Sequence, residues 1–175
     1  MANTYEAIAT VTVGSGGAAN IEFTSIPGTY TDLVLKTSLR STNTSGDWDP
    51  VKININSSAS NFSGRILYGT GSAAGSETPS GADITVSTYT SNANNTASTF
   101  GNIEIYIPNY TSTSNAKSIS IDGVSENNAT AALASLSAKL FNPGTQAAIT
   151  SIKLLPYGLN FAQYSTATIY GIKNS

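Results

Sequence analysis

The residues best suited to chemistry lie in the stretch SGDWDPV, residues 45 to 51, which holds the only tryptophan of the chain between Asp47 and Asp49. Two carboxylates flanking a glycosidic bond can act as the acid and the base that cleave it. Catalytic couples of this kind normally come from different elements of a fold, whereas these aspartates are separated only by Trp48, and Pro50 marks a loop. The stretch is therefore not expected to be catalytic.

A calcium site is the second interpretation of the same stretch. Oxygen ligands from Asp47 and Asp49, with nearby Asn54 or Asn56, are of the type that Ca²⁺ prefers. The stretch lacks the glycine and the glutamate that the helix-loop-helix calcium motif requires at fixed offsets. A loop whose Trp48 packs against a neighbour is the favoured interpretation, and neither a metal nor a cofactor is expected.

The composition excludes several classes of catalytic site. The chain has no cysteine, which rules out thiolate nucleophiles, disulfides and zinc–thiolate sites, and no histidine, the commonest general base and transition-metal ligand. It also has no G-x-S-x-G nucleophile elbow. The protein is therefore not expected to be an enzyme.

Charge is scarce in this sequence. Charged residues make up 10% of the chain, with a net charge of −2, whereas about 25% is typical. Nucleic-acid binding depends on clusters of Lys and Arg, and none is present, so no nucleic-acid partner is expected. Ser, Thr and Asn exceed a third of the residues, which suggests a protein that packs against neighbours or works outside the cell.

The N-terminal residues 1 to 14, MANTYEAIATVTVG, have neither the basic region nor the apolar core of a secretory signal peptide. No run reaches the roughly 18 apolar residues of a membrane helix. We therefore expect synthesis in a cytoplasm, no membrane partner, and release by a route such as assembly into a particle.

The dominant pattern along the chain alternates with period two, which is typical of strands with one buried face. In SIPGTYTDLVLKTSLRST, residues 25 to 42, Leu33, Leu35 and Leu39 share one face while Lys36 and Arg40 share the other. The same pattern predicts further strands around residues 7–13, 21–23, 51–55, 65–68, 84–89, 103–107, 118–122, 149–155 and 164–172.

Two segments need separate interpretations. Residues 130 to 141, TAALASLSAKLF, fit a helix through Leu133, Leu136 and Leu140, or a strand with Ala132, Ala134, Leu136, Ala138 and Leu140 on one face. The strand is favoured because every neighbouring segment is a strand. The segment 69–81, rich in small residues, is expected to be a poorly ordered loop.

Regularly spaced short strands separated by Gly, Pro, Asn and Ser predict an all-β protein. We expect a single domain over residues 1–175, folded as an antiparallel β-sandwich of about ten strands, with a jelly roll as the best match to the strand count.

Aromatic residues with a polar tip are the remaining candidates for contacts with a ligand or a neighbour. Tyr106 and Tyr110 flank Pro108, and such side chains serve in cores, in subunit interfaces and in sugar-binding platforms. Together with Asp47, Trp48 and Asp49, they form the set of candidate interface or ligand contacts, and the three roles stay open.

Three stretches together resemble a recurrent family of small virion proteins in tailed phages, especially marine and cyanobacterial ones. They are IEFTSIPGTYTDLVLKTSLRS, NIEIYIPNYTSTSNAKSISIDGVSENN and FAQYSTATIYGIKNS. The resemblance covers most of the chain except the region of residues 69 to 95, and it carries no catalytic residue.

The resemblance implies a jelly-roll capsid decoration or cement protein on the exterior of the virion. Such proteins typically form homotrimers that clamp neighbouring subunits of the major capsid protein. The alternative implied by the same resemblance is a domain of a head fibre, a tail fibre or a spike that recognises host glycans, through Trp48, Tyr106 or Tyr110.

Overall fold

The protein is all-β. A computed structural model describes residues 4 to 173, which form twelve strands and one turn of 3-10 helix, Gly81–Asp83, but no α-helix. The strands are β1 (Tyr5–Thr12), β2 (Ile21–Phe23), β3 (Asp32–Leu39), β4 (Trp48–Ile55), β5 (Phe62–Thr70), β6 (Ala74–Glu77), β7 (Val86–Ser91), β8 (Gly101–Ile107), β9 (Lys117–Glu126), β10 (Ala132–Phe141), β11 (Ile152–Pro156) and β12 (Thr166–Ile172).

The strands form two antiparallel sheets. The larger sheet has the order β1-β12-β3-β8-β9-β10-β5-β6, and the smaller sheet has the order β2-β11-β4-β7. The chain alternates between the sheets through β1, β2, β3 and β4, and again through β7, β8, β11 and β12 after leaving out the two inserted pairs. These eight strands have the connectivity of a jelly roll, so the expected β-sandwich is confirmed.

Aliphatic side chains from both sheets form the core. Leu33, Leu35 and Leu39 of β3 and Ile53 and Ile55 of β4 are fully buried and belong to one cluster. Because successive strand residues point to opposite faces, the alternation read from the sequence correctly identified the buried side of β3.

Two strand pairs are inserted into the jelly roll and extend the larger sheet beyond β8. The pair β9–β10 lies between β8 and β11 in the chain, and the pair β5–β6 lies between β4 and β7. The smaller sheet ends at β7, which packs against the inner faces of β8, β9 and β10. One side of β5, β9 and β10 therefore faces the interior, and the other lies on the outside of the molecule.

Serine and threonine line the inner contact between β7 and the inserted strands. Ser135 Oγ and Thr88 Oγ1 share a hydrogen bond of 2.7 Å, and Ser137 Oγ donates to the carbonyl of Ser87. Gly123 permits this approach, because a Cβ there would lie 2.4 Å from Thr88 Oγ1. The contact between β7 and the inserted strands is therefore partly polar, and its hydroxyl groups are hydrogen-bonded.

The structure settles three details of the sequence-based description, the first as favoured and the other two as corrections. The segment 130–141 is a strand, as favoured, and the strand count is twelve because the expected loop at 69–81 contains β6. Pro50 lies inside β4 rather than in a loop, and its carbonyl accepts a hydrogen bond from the Tyr157 amide. The antiparallel pairing with β7 shifts register one residue farther along, between Val51 and Lys52.

None of the helical structure in residues 4–173 is long and apolar enough to span a membrane.

Candidate functional site

The structure separates the two aspartates of the DWD stretch. Asp49 is fully buried in β4, where its Oδ1 accepts a hydrogen bond of 2.8 Å from Asn43 Nδ2, while Asp47 is exposed just before the strand. An acid and base couple needs both carboxylates at one accessible point. Asp49 is thus a structural residue. Because it is fully buried, it is no longer a candidate for contact with a ligand or a neighbour.

The calcium interpretation finds no support in the placement of its ligands. Asn56 uses its carboxamide for the loop before β11, donating 2.8 Å to the Ala148 carbonyl and accepting 2.8 Å from the Thr150 amide. Among residues 4–173, no three acidic side chains gather at one point.

Ser114 and Lys117 have an S-x-x-K spacing that sequence inspection missed, and the spacing is that of a serine nucleophile with a lysine base. Lys117 is buried, and its Nζ donates 2.6 Å to the Ser112 carbonyl and 2.8 Å to the Asn115 carbonyl. Burial lowers the pKa of Lys117. Since the ammonium is directed to two carbonyls of its own turn, this lysine holds the 112–115 loop.

The two tyrosines around Pro108 have different environments. Tyr110 is fully buried and its hydroxyl donates to the Pro27 carbonyl, so of the three roles left open by the sequence its position fits the core. Tyr106 is half-buried and donates 2.9 Å to Asp32 Oδ2. This hydrogen bond is the main cause of the raised pKa of Tyr106.

Trp48 and Asp47 line an open cavity of about 400 Å³ on the outer side of β4. The opposite wall is formed by the turn between β5 and β6, at residues 70–72, and by residues 130–132. Of the five residues that the sequence suggested as interface or ligand contacts, Asp47 and Trp48 therefore lie together in this cavity. Asp49, Tyr106 and Tyr110 do not line it.

A second open cleft, which we call the tyrosine cleft, has a volume of about 520 Å³ and lies farther along the same side of β4. The sequence did not predict it. It is lined by two tyrosines, two prolines and two carboxylates, together with small residues: Pro50, Glu77, Thr78, Pro79, Ser80, Asp83, Val86, Tyr89 and Tyr157. Such a mixture of rings and polar groups is typical of small-molecule sites, and the volume lies within their usual range.

Neighbouring groups fix the side chains of this cleft. The Tyr89 hydroxyl donates 2.5 Å to Glu77 Oε2, and burial followed by this hydrogen bond raises the pKa of Tyr89. Lys52 Nζ lies 3.7 Å from Asp83 Oδ1 and 4.4 Å from the centre of the Tyr157 ring. The cleft therefore presents a half-exposed aromatic ring beside carboxylates whose charge is partly neutralised.

The outer side of β10 has the opposite polarity from the one expected for a water-exposed surface. In β10 the inward side chains include Ser135, Ser137 and Lys139, while Leu136 and Leu140 point outward with 56% and 39% of their surface exposed. An antiparallel sheet with one side exposed to solvent normally has apolar side chains pointing inward and polar side chains pointing outward. The inversion leaves a row of apolar side chains exposed along β10.

The exposed apolar side chains are contiguous across three strands. Leu136 of β10 pairs with Leu67 of β5, and Ala134 pairs with Val124 of β9, so their side chains share one face. We call this surface the apolar face; it consists of Leu67, Val124, Ala132, Ala134, Leu136, Ala138 and Leu140. Contiguous exposed apolar patches of this kind mark interaction sites in soluble proteins.

Comparison with known proteins finds no match to a family model, to a curated protein or to a solved structure.

Proposed function

We propose that the protein is a structural subunit of a phage virion, a capsid decoration or cement protein that binds the shell of the major capsid protein from outside and stabilises it. The observation that carries the proposal is the apolar face on a jelly-roll body, because such a face becomes stable in water when a neighbouring molecule covers it. The low charge of the chain and the resemblance of its sequence to small virion proteins support the same role.

The geometry around the candidate residues also favours binding over catalysis. Asp49 and Lys117 make hydrogen bonds within the fold, and each of the two open clefts on β4 is lined by an aromatic ring and a carboxylate. The structural role therefore accounts for more of the described surface than a hydrolytic one does.

The copy number in particles tests this role. In purified virions of the phage that encodes the chain, quantitative mass spectrometry is expected to find a copy number comparable with that of the major shell protein. Purified chain is expected to co-sediment with emptied shells from which it has been stripped. A few copies per particle, or no binding to shells, would contradict a decoration role.

Adhesion to host glycans is the second candidate function, and the tyrosine cleft is the observation that favours it. A pyranose ring stacked on the exposed side of Tyr157 would have Glu77 and Asp83 within the same cleft as hydrogen-bond acceptors. Aromatic rings with polar neighbours are well suited to this kind of recognition.

If the cleft binds glycans, replacement of Tyr157 by alanine should abolish binding on an array of bacterial surface polysaccharides, because the stacking ring is lost. Tyr157→Phe keeps the ring and should retain most of the signal. Tyr5→Ala, at an equally exposed tyrosine away from the cleft, is the matched control. Equal signals for Tyr157→Ala and Tyr5→Ala would exclude the cleft as the binding site.

A further inference from the structure

We propose that the apolar face binds the same face of a second copy of this chain, in a symmetric contact about a twofold axis that runs along β10 through Leu136. The inference names the neighbour that covers the face from which the virion role was argued, but it does not require a virion, since it rests on the arrangement of side chains on the face. In a contact of this type every contact between two different residues occurs twice, once in each direction. The surface must therefore be complementary to itself.

Two charged side chains, Asp122 and Arg65, border the apolar face on opposite sides of β10. Asp122 of β9 lies opposite Leu136 in the sheet. Arg65 of β5 lies opposite Ala138, which is the next outward-facing residue of β10. Both side chains are exposed, and within residues 4–173 neither makes a side-chain hydrogen bond or an ion pair. Glu104, which lies opposite Asp122 on β8, makes its ion pair with Lys36, and Asp122 adds a coulombic attraction to that lysine.

Rotation about the proposed axis exchanges the β5 side and the β9 side of the face. It therefore places Arg65 of the second copy above Ser120, the β9 partner of Ala138. Ser120 and Asp122 are two residues apart in one strand and point to the same side, a separation of roughly 6.8 Å along β9. Each arginine thus comes within reach of the other copy's Asp122, and the contact contains two equivalent ion pairs.

The shape of the face is complementary under the same rotation. Val124 of β9 and Gly69 of β5 lie on either side of Ala134. Val124 projects into solvent with 55% of its surface exposed, while a Cβ built on Gly69 would meet no atom within 4 Å. The twofold rotation sets the Val124 side chain of each copy over the gap at Gly69 of the other.

The centre of the contact is formed by Leu136, which lies on the axis and packs against its own symmetry mate. Face-to-face sheets lie about 10 Å apart, the distance that two layers of such side chains fill. A threefold assembly, as expected from the sequence resemblance, would bring this face against a different surface of the neighbour. The self-complementary charges and shape favour the twofold arrangement for this contact.

The mass of the full chain in solution is the first test. By sedimentation velocity at micromolar concentrations, we expect twice the 18.0 kDa chain mass. Leu136→Glu should sediment as a monomer with an unchanged far-ultraviolet circular dichroism spectrum, because the charge would be buried against its own copy. A monomeric or trimeric native chain, or a dimer that survives Leu136→Glu, would overturn the proposal.

Charge reversal tests the predicted partners. Arg65→Glu and Asp122→Lys should each weaken self-association by about tenfold or more, because either change removes both ion pairs and introduces repulsion. The double variant restores opposite charges and should recover most of the affinity. If the double variant associates no better than the single variants, the twofold geometry is wrong.

Filling the gap at Gly69 provides a test by shape. Gly69→Val should reduce self-association by a similar factor because it collides with Val124 of the other copy, while open space at the position leaves the fold of each chain intact. Ser38→Val places the same side chain at an exposed position on the polar part of the same sheet. This control should associate like the native chain; equal effects of the two changes would contradict the predicted register.

Discussion

Replacement of Arg40 by methionine should lower the free energy of unfolding by about 3–5 kcal/mol. The buried guanidinium donates 2.9 Å to the Asn95 carbonyl and 2.8 Å to each of the Thr96 and Thr99 carbonyls, with a further bond of 3.0 Å to Thr99 Oγ1. Methionine preserves much of the bulk but removes the donor to the Asn95 and Thr99 carbonyls, while the Thr96 carbonyl keeps hydrogen bonds from the hydroxyl and amide of Thr99. Urea denaturation at a fixed protein concentration measures the loss.

Two variants separate the role of the hydrogen bonds from that of charge. Arg40→Lys keeps the charge but offers one ammonium in place of the planar fork, so it should lose part of the stability. Lys36→Met removes an exposed lysine with a single carboxylate partner, and such pairs contribute about 0–1 kcal/mol. If Arg40→Met costs no more than Lys36→Met, then Arg40 does not hold the 95–99 segment.

The stability of the protein should rise by about 1–2 kcal/mol between pH 7 and pH 9.5, and most of this rise should disappear in Lys139→Met. Burial lowers the pKa of Lys139 to about 8, from a usual value of 10.5. Between these two values the unfolded chain binds more protons than the folded chain does, so raising the pH favours the folded state.

Other groups with shifted pKa values limit the pH range over which the stability should rise. Burial also lowers the pKa of Lys117, so this residue should supply the part of the rise that remains in Lys139→Met. Above about pH 10 the raised pKa values of Tyr89 and Tyr110 reverse the trend, because unfolded tyrosines then lose protons first.

Hydrogen bonding to Glu104 raises the pKa of Lys36. The stability that this lysine contributes is therefore lost only above its usual range, and Lys36→Met should keep the rise between pH 7 and pH 9.5. Thermal unfolding at a series of pH values tests the prediction. An unchanged rise in Lys139→Met would show that the burial of this lysine is not its cause.

The sequence pattern predicted the strands well but not the direction in which their sides face. For β10, alternation placed Leu136 and Leu140 on one side, yet these leucines point outward because β7 supplies hydrogen-bond partners for the serines on the other side. Period two defines two sides of a strand, and only the tertiary contact decides which one is buried.

Elements that depend on distant partners gave little local signal. The short strand β6 consists of small residues, and it forms because β5 pairs with it. Similarly, nothing around Arg40 in the sequence indicates that its guanidinium binds carbonyls about 55 residues away. The tyrosine cleft depends on β4, β7 and the 77–83 segment meeting in space, so its residues could not be grouped from the sequence.

A cross-linking measurement tests the apolar face as a self-contact most directly. The chain contains no cysteine, so Leu136→Cys introduces one thiol per chain, placed on the proposed axis opposite its own copy. A short bis-maleimide should convert this variant to a covalent dimer, whereas Ser38→Cys on the polar part of the same sheet should remain monomeric. Equal cross-linking of the two variants would contradict the assignment of this face.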